Sequence, residues 1–527
     1  MKSDVENKIE EDKESEEKLL TQDNRESDIK LSRITDNTLV KIKNIRNESS
    51  SSSTDPKKKV SDFQTILSIW NTMIGSSIVS IPYNVYYAGI IPTILIGLLY
   101  GFICYFTCFI VVRLGGKEEE FAILVYNYFN YGFGKKYAKA GRVLQITFNL
   151  MINIGATFIY FLIINQNLYP CICLFLKIFN VDLDEYDLEP HFNKFSLFYC
   201  ALLVSILVFP LTILKEMGIL VKFNSKGIYF VSALLIFVIY SGISTMIKDN
   251  LHLGYKENPK GNKDIYLHLF GEKPGLICGT LSLGLFSHSV ILPLLKNNRK
   301  PQNNQRDLFI GYVLVTLTYI IIGLMGYIGF SGSDFDADFK DNWFRFYKSD
   351  NYFILVLRIL NIIQLVSIFP ILFFAVRKQL FSTFFEQYLS SMFHIIIFSI
   401  ILLTLCIVVL YFCYNTLGNL IGYIGASTAL VLIYGIAPIT NMIYYYIRHQ
   451  SKEEVLKIIE EKKAENSNEE ERIKNIFPDN LREPVRLKPV KAFFFYLSMM
   501  LIIMVGFITL FLQIVSVNFF NVKIEKA

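Results

Sequence analysis

Residues 68–89 read "SIWNTMIGSSIVSIPYNVYYAG". The stretch is apolar enough to cross a bilayer, yet its middle carries Asn71, Thr72, Gly75, Ser76, Ser77 and Ser80, followed by Pro82. The Gly-Ser-Ser run weakens a helix, and the proline removes a backbone donor. In hydrocarbon every backbone N–H and C=O must be satisfied, so irregular backbone persists only where it is buried in protein or lines a cavity. Small residues also serve close helix packing in membranes, and this segment alone leaves both readings open.

The rest of the chain is of the same kind. Of its 527 residues 52% are hydrophobic, with 45 Phe and 31 Tyr, and the mean hydropathy is +0.39. Windows of about 20 apolar residues, the length that crosses a bilayer, recur at 64–88, 90–113, 141–168, 195–214, 227–247, 274–295, 307–330, 352–375, 391–413, 417–447 and 491–517. They predict an all-α polytopic membrane protein of eleven spans occupying 63–517. Residues 1–60 contain no Phe, Tyr, Trp or His and end in "ESSSSSTDPKKK". Such a segment cannot offset its ordering entropy by burial, so it reads as a disordered tail. It has no apolar signal-peptide core, which leaves the first span as the targeting signal. The charged loop 448–490 has Glu and Lys at helical spacing around Val455, Leu456, Ile458 and Ile459, which predicts a short surface helix.

Cytoplasmic loops are enriched in Lys and Arg. Placing the N-terminus in the cytoplasm puts fifteen of them in inner loops and ten in outer ones, before the 448–490 loop is counted. The C-terminal residues 518–527 then lie on the luminal side. The net charge of +6 is therefore a topology signal and not a nucleic-acid footprint. The eight cysteines show no CxxC pair and no metal-ligand spacing with His. Cys171, Cys173 and Cys200 gather at the outer side, where a disulfide and buried thiols are both open readings. No nucleophile–base set, nucleotide loop or pore motif is visible, so the chain reads as a carrier and not as an enzyme or a channel.

A second span is interrupted too. Residues 275–300, "GLICGTLSLGLFSHSVILPLLKNNRK", carry Gly279, Ser282, Gly284, Ser287, His288, Ser289 and Pro293. Spans 1 and 6 are corresponding members of two five-span halves, and interrupted segments at matching positions point to a midplane site in an inverted-repeat transporter. Half-helix N-termini offer N–H groups to a carboxylate. Unwound carbonyls offer oxygens to Na⁺ or an ammonium, and an amino acid carries both a carboxylate and an ammonium. His288 stands in this region as a pH sensor or as a packed, hydrogen-bonded side chain. Arg358, one or two turns inside span 8, is either functional or a snorkelling arginine. His394 in span 9 has no visible partner.

Three stretches carry a resemblance: "SIWNTMIGSSIVSIPY", "LLKNNRKPQNNQRDLFIGYVLVTLTYIIIG" and "SIFPILFFAVRKQL". Through them the chain resembles the amino acid/auxin permease superfamily, and within it the solute carrier 38 family of sodium-coupled neutral amino acid transporters, in particular its lysosomal arginine-sensing branch. The resemblance implies a leucine-transporter-type 5+5 inverted repeat with broken helices 1 and 6. It places substrate at Asn71, Thr72, Met73, Ile74, Gly75 and Ser76, with Ser76 standing where the relative has Thr. It pairs span 1 with a hydroxyl of span 8 as the sodium site, which here matches Asn71 and Ser367, three residues before Pro370; oxygen ligands suit such a hard cation. It also implies amino acid substrates (arginine, leucine or other neutral amino acids) and a lysosomal or late endosomal membrane. A further implication is a contact of the N-terminal tail with the Rag GTPase–Ragulator machinery that activates the target-of-rapamycin pathway. This tail, however, lacks the aromatic anchors of a rigid interface. Outside the lysosome the same carrier core suits a plasma-membrane neutral amino acid carrier, and a sensor with little transport is the other alternative.

Overall fold

The first helix starts at a reciprocal cap. The Ser61 hydroxyl accepts the Gln64 N–H at 3.4 Å while the Gln64 side chain accepts the Ser61 N–H at 3.3 Å, satisfying two otherwise free donors. From there α1 runs Asp62–Met73, Ile74 turns extended, and α2 resumes over Ser77–Ala88. The broken first span is thus present. This computed structural model describes residues 60–115, 120–181, 183, 188–192, 194–214, 227–254, 264–296, 298–331, 342–346, 352–384, 391–449 and 489–524. The predicted disordered tail and the predicted loop helix around Val455 lie outside the described residues.

The chain continues through α3 (Ile90–Gly115), α4 (Phe121–Phe133), α5 (Lys135–Lys177), α6 (Leu197–Thr212) and α7 (Gly227–Lys248). Two short parallel strands follow, β1 (Asn250–Leu253) and β2 (Asp264–Leu267), with Asn250 opposite Asp264. Next come α8 (Gly275–Gly284) and α9 (Ile291–Lys296), the two halves of the broken sixth span. The long helices α10 (Asn304–Ser331), α11 (Tyr352–Phe384) and α12 (Met392–Cys413) lead to α13 (Leu417–Val431). A π-turn at Leu432–Ile436 joins α13 to α14 (Ala437–His449), and α15 (Pro489–Ile524) closes the described chain.

Eight described helices are long and apolar enough to cross a membrane, and α6 and α8 are shorter apolar helices. With α1–α2 and α8–α9 taken as composite spans, these account for the eleven windows. Three details differ from the sequence expectation. The connector after α3 contains α4, whose 13 residues are too few to span but bury Leu124, Val125, Tyr128 and Tyr131. Helix α5 begins at Lys135 and reaches 43 residues, roughly 65 Å at 1.5 Å per residue, well beyond the ~30 Å core. Helix α15 continues to Ile524, past the predicted end at 517. Cys171, Cys173 and Cys200 are free thiols.

Two features tie the broken spans to their surroundings. At the end of α2, Gly89 adopts φ 86°, a conformation that costs glycine little, and turns the chain directly into α3. The Gly271 N–H donates to Ala88 O at 2.9 Å, that of Lys273 to Tyr87 O at 2.9 Å, and that of Ile90 to His268 O at 3.0 Å. The segment leading into α8 is thereby stitched to the end of α2. Farther along α8, Gly279 crosses Gly422 and Gly425 of α13 with the backbones in contact: a Cβ on Gly425 would overlap the Gly279 carbonyl.

That crossing predicts a strong asymmetry between glycines. Gly425→Val, which forces two backbones apart, is expected to cost at least the ~1–3 kcal/mol of ordinary overpacking. Gly254→Val, where nothing lies within 4 Å, should leave the melting temperature of the solubilised protein unchanged. Equal melting of both variants would contradict the tight crossing.

Candidate functional site

The break in span 1 is three residues long. Ile74 has φ −79° and ψ 102°, and its N–H still closes onto Trp70 O. Ser76 precedes α2 without a side-chain cap. Two tyrosines from other helices reach this turn. Tyr319 of α10 donates its hydroxyl to Met73 O at 3.0 Å. Tyr160 of α5 faces the backbone of Ser76, and its hydroxyl would lie 2.6 Å from a Cβ placed on Gly75. Gly75 therefore leaves room for the Tyr160 oxygen beside the turn.

The break in span 6 is pinned in the same way. Residues 285–290 carry the chain from α8 to α9. Tyr312 of α10 donates to Leu285 O at 3.2 Å and shares a 2.9 Å contact with the Ser287 hydroxyl. His288 is fully buried, stacks near Phe286, and holds Thr107 of α3 through Nε2 at 2.9 Å. This is the packed, hydrogen-bonded reading of His288. Tyr319 touches both breaks, because a Cβ on Gly284 would sit 2.6 Å from its hydroxyl.

The six predicted substrate residues divide by how they present themselves. Met73 and Ile74 bury their side chains in the core at 3% and 1% exposure, so they offer backbone groups. Gly75 is half-buried and Ser76 buried, both at the turn. Thr72 is exposed and spends its hydroxyl on Ser68 O at 2.7 Å. Asn71 is half-buried and faces α7 and α11: a Cβ on Gly227 would lie 3.2 Å from Asn71 Oδ1 and 3.3 Å from Gln364 Nε2. The predicted sodium ligand Ser367 is buried one turn along α11 from Gln364, to whose carbonyl its hydroxyl donates at 2.6 Å. The structure thus brings Asn71 to Gln364, the neighbour of Ser367 on the helix. Gln364 Oε1 is buried and has no hydrogen-bond partner among the described residues. Amide and hydroxyl oxygens are the donor set a hard cation takes. No cluster of three or more His, Cys, Asp or Glu suited to other metals occurs among the described residues.

On the side of the breaks reached by α2 and α8, residues 342–344 form a buried plug. Trp343 stacks against Phe330 of α10 and Phe237 of α7, and Asn342 donates to Gln166 of α5 at 2.9 Å. Arg358 of α11 is 2% exposed and donates to Phe344 O at 2.8 Å. It holds the plug and does not snorkel. His394 is exposed at the start of α12, edge-on to Phe393.

Comparison with known proteins agrees with this arrangement. Residues 58–460 match the family described as transmembrane amino acid transporter protein. The chain belongs to that family. It is 26% identical over 445 residues to neutral amino acid transporter 9 of Xenopus tropicalis, covering 76% of this chain and 77% of the relative. It is 24% identical over 428 residues to the sodium-coupled neutral amino acid transporter 9 homolog of Caenorhabditis elegans, covering 72% and 68%. The solved inward-facing structure of Mhp1 superposes with a TM-score of 0.54 at 10% identity, covering 89% of this chain and 93% of Mhp1, which shows the shared leucine-transporter-type fold. The family consists of carriers, not enzymes.

Tyr160, Tyr312, Tyr319 and Thr107 escaped the sequence reading, and they generate a prediction. Gly75→Ala should drive Cβ into the Tyr160 hydroxyl and impair substrate binding, by about 1–3 kcal/mol as overpacking does. Adding Tyr160→Phe removes the offending oxygen and leaves the ring carbon at an ordinary 3.6 Å. The double variant should therefore bind better than Gly75→Ala alone in an equilibrium ligand-binding assay. A double variant worse than either single one would contradict this geometry.

Proposed function

We propose that the protein is a sodium-coupled secondary carrier of neutral amino acids that holds the substrate zwitterion at residues 74–76. One observation carries the reading: the turn between α1 and α2, bracketed by Tyr160 and Tyr319, leaves backbone groups at two facing half-helix ends. The N-terminus of α2 favours the substrate carboxylate through its free N–H groups and dipole. Carbonyls at the end of α1 favour the ammonium. Within the described helices Asp and Glu occur at Asp62 and Asp307, each in the first turn of its helix. A site without a carboxylate matches a net-neutral amino acid better than a cationic one, because an uncompensated charge in low dielectric is costly. The two relatives above carry "neutral amino acid" in their names, which supports the same substrate class.

Sodium is the coupling ion in this proposal, with Asn71, Ser367 and the Gln364 side chain as its oxygen ligands. The lysine-rich approach at 57–59 orients the N-terminus to the cytoplasm. The lysosomal or late endosomal membrane, a response to arginine and the tail contact with Rag GTPase–Ragulator rest on the family resemblance. A pull-down with the isolated tail tests that contact.

The deciding experiment is uptake of radiolabelled neutral amino acids into proteoliposomes with and without a Na⁺ gradient. Gradient-dependent accumulation is expected; binding without flux would make the protein a receptor instead. Ser76→Trp, which fills the turn, should abolish uptake in a protein that still elutes as a folded monodisperse species. Ser367→Ala should raise the Na⁺ concentration needed for half-maximal uptake while costing about 0.5–1.5 kcal/mol of stability, the worth of one hydroxyl hydrogen bond. An unchanged Na⁺ response would remove Ser367 from the ion site.

A further inference from the structure

At the start of α1, Arg306 lies between two carboxylates. Its Nη2 donates to Asp62 Oδ2 and to Asp307 Oδ1, both at 2.8 Å, and its Nε donates to Asp307 Oδ1 at 3.1 Å. Asp62 is the first residue of α1, and Asp307 sits in the first turn of α10. Asp307 has no exposed surface and also accepts a hydrogen bond from Asn298 at 3.0 Å. Asn303 donates to Asp62 Oδ2 at 2.7 Å. All of these partners come from the "KNNRKPQNNQRD" stretch that joins the end of α9 to the first turn of α10, a motif that the transport site does not use.

The arrangement has a physical order. A buried carboxylate must be paired, and removing its partner is costly. Asp307 therefore fixes Arg306 in place, and Nη2 also donates to Asp62 at the start of α1. The Asn303 hydrogen bond, followed by Arg306 and Lys300, outweighs partial desolvation and holds the Asp62 carboxyl below its usual pKa. Asp62 thus stays ionised at neutral pH, at the helix end where negative charge is favoured.

Further along, α1 meets α10 three more times. Ile69 packs over Gly311, where a Cβ would lie 2.6 Å from its Cγ2. Trp70 Nε1 donates to Thr318 Oγ1 at 3.1 Å. Tyr319 closes onto Met73 O at the last residue of α1. The ties run from the first residue of α1 to its last, in the same order along both helices.

We infer that Arg306 is a positioning residue for transport: it fastens α1 to α10, so this half of span 1 moves with α10 and does not swing as a separate gate. The inference rests on the carrier reading. It concerns how the half-helix travels, not which ligand binds.

The test joins the two ends covalently. Asp62→Cys with Asn303→Cys is reconstituted and linked with a short bifunctional thiosulfonate, and uptake of labelled alanine is compared before linking, after linking and after reduction. Wild type treated with the same reagent controls for the native thiols. Linking should leave uptake equal to or above that of the unlinked variant, because the bond replaces the lost latch. Loss of uptake on linking, regained on reduction, would show that the ends part in each cycle and would overturn the inference alone. A wild type that moves no amino acid would overturn the carrier reading, and this inference with it. As a second arm, Asp62→Asn should lower turnover by roughly twofold to fivefold, as expected for a pair with one exposed partner. KM should stay unchanged and Asp62→Glu should restore turnover. On the same background, labelling of exposed Ser68→Cys by an impermeant thiol reagent should rise. Unchanged turnover and unchanged labelling in Asp62→Asn would also overturn it.

Discussion

The interruption of the helical hydrogen-bond ladder at residues 74–76 governs the packing around it. Water is absent from the hydrocarbon core, and each unsatisfied backbone group there costs several kcal/mol. The protein answers with hydroxyls carried in by other helices. Tyr319 takes Met73 O, Tyr160 covers Ser76, and Gly75 and Gly284 give those hydroxyls room. The second break repeats the solution with Tyr312 on Leu285 O, while Thr107 holds the His288 side chain. Helices α3, α5 and α10 are thereby committed to fixed positions around the two turns.

The same constraint separates rigid from adaptable parts. Buried groups such as His288 and Asp307 have specific partners on neighbouring helices and cannot leave them cheaply. The crossing of α8 and α13 is rigid for a different reason, since Gly279 meets Gly422 and Gly425 backbone to backbone. Against this, the turn at 74–76 is held by hydroxyls, each of which can exchange one hydrogen-bond partner for another without a large change in energy.

Much of this was legible in the sequence, for a local reason. Gly, Ser and Pro inside an apolar window contradict a continuous helix wherever they occur, so both breaks could be read from composition at 71–82 and 279–293. The partners could not. With 31 Tyr and 45 Phe in the chain, nothing marks Tyr160 or Tyr319 before the helices are packed. The exact end of α1 was equally hidden: the helix continues through Met73, and Thr72 donates its hydroxyl back to Ser68 O. Arg358 shows the same limit. Its place in span 8 was plain, but its acceptor, Phe344 O, belongs to a plug formed by a loop whose fold has no periodic signal. Helix α4 was hidden as well, because a short apolar run between longer ones reads as connector.

The distance in sequence between the breaks and their partners has a consequence for how the protein is made. Tyr319 follows Met73 by 246 residues, and the segment stitched to Ala88 begins at His268. During synthesis the first span therefore enters the lipid long before the groups that satisfy its turn exist. Until α10 arrives, α1 and α2 must either persist as a strained continuous helix or shelter their open carbonyls against the translocation machinery. Biogenesis, more than the final stability, is then the step at which substitutions in α10 should be felt, as chains that insert their first spans and fail to complete the bundle.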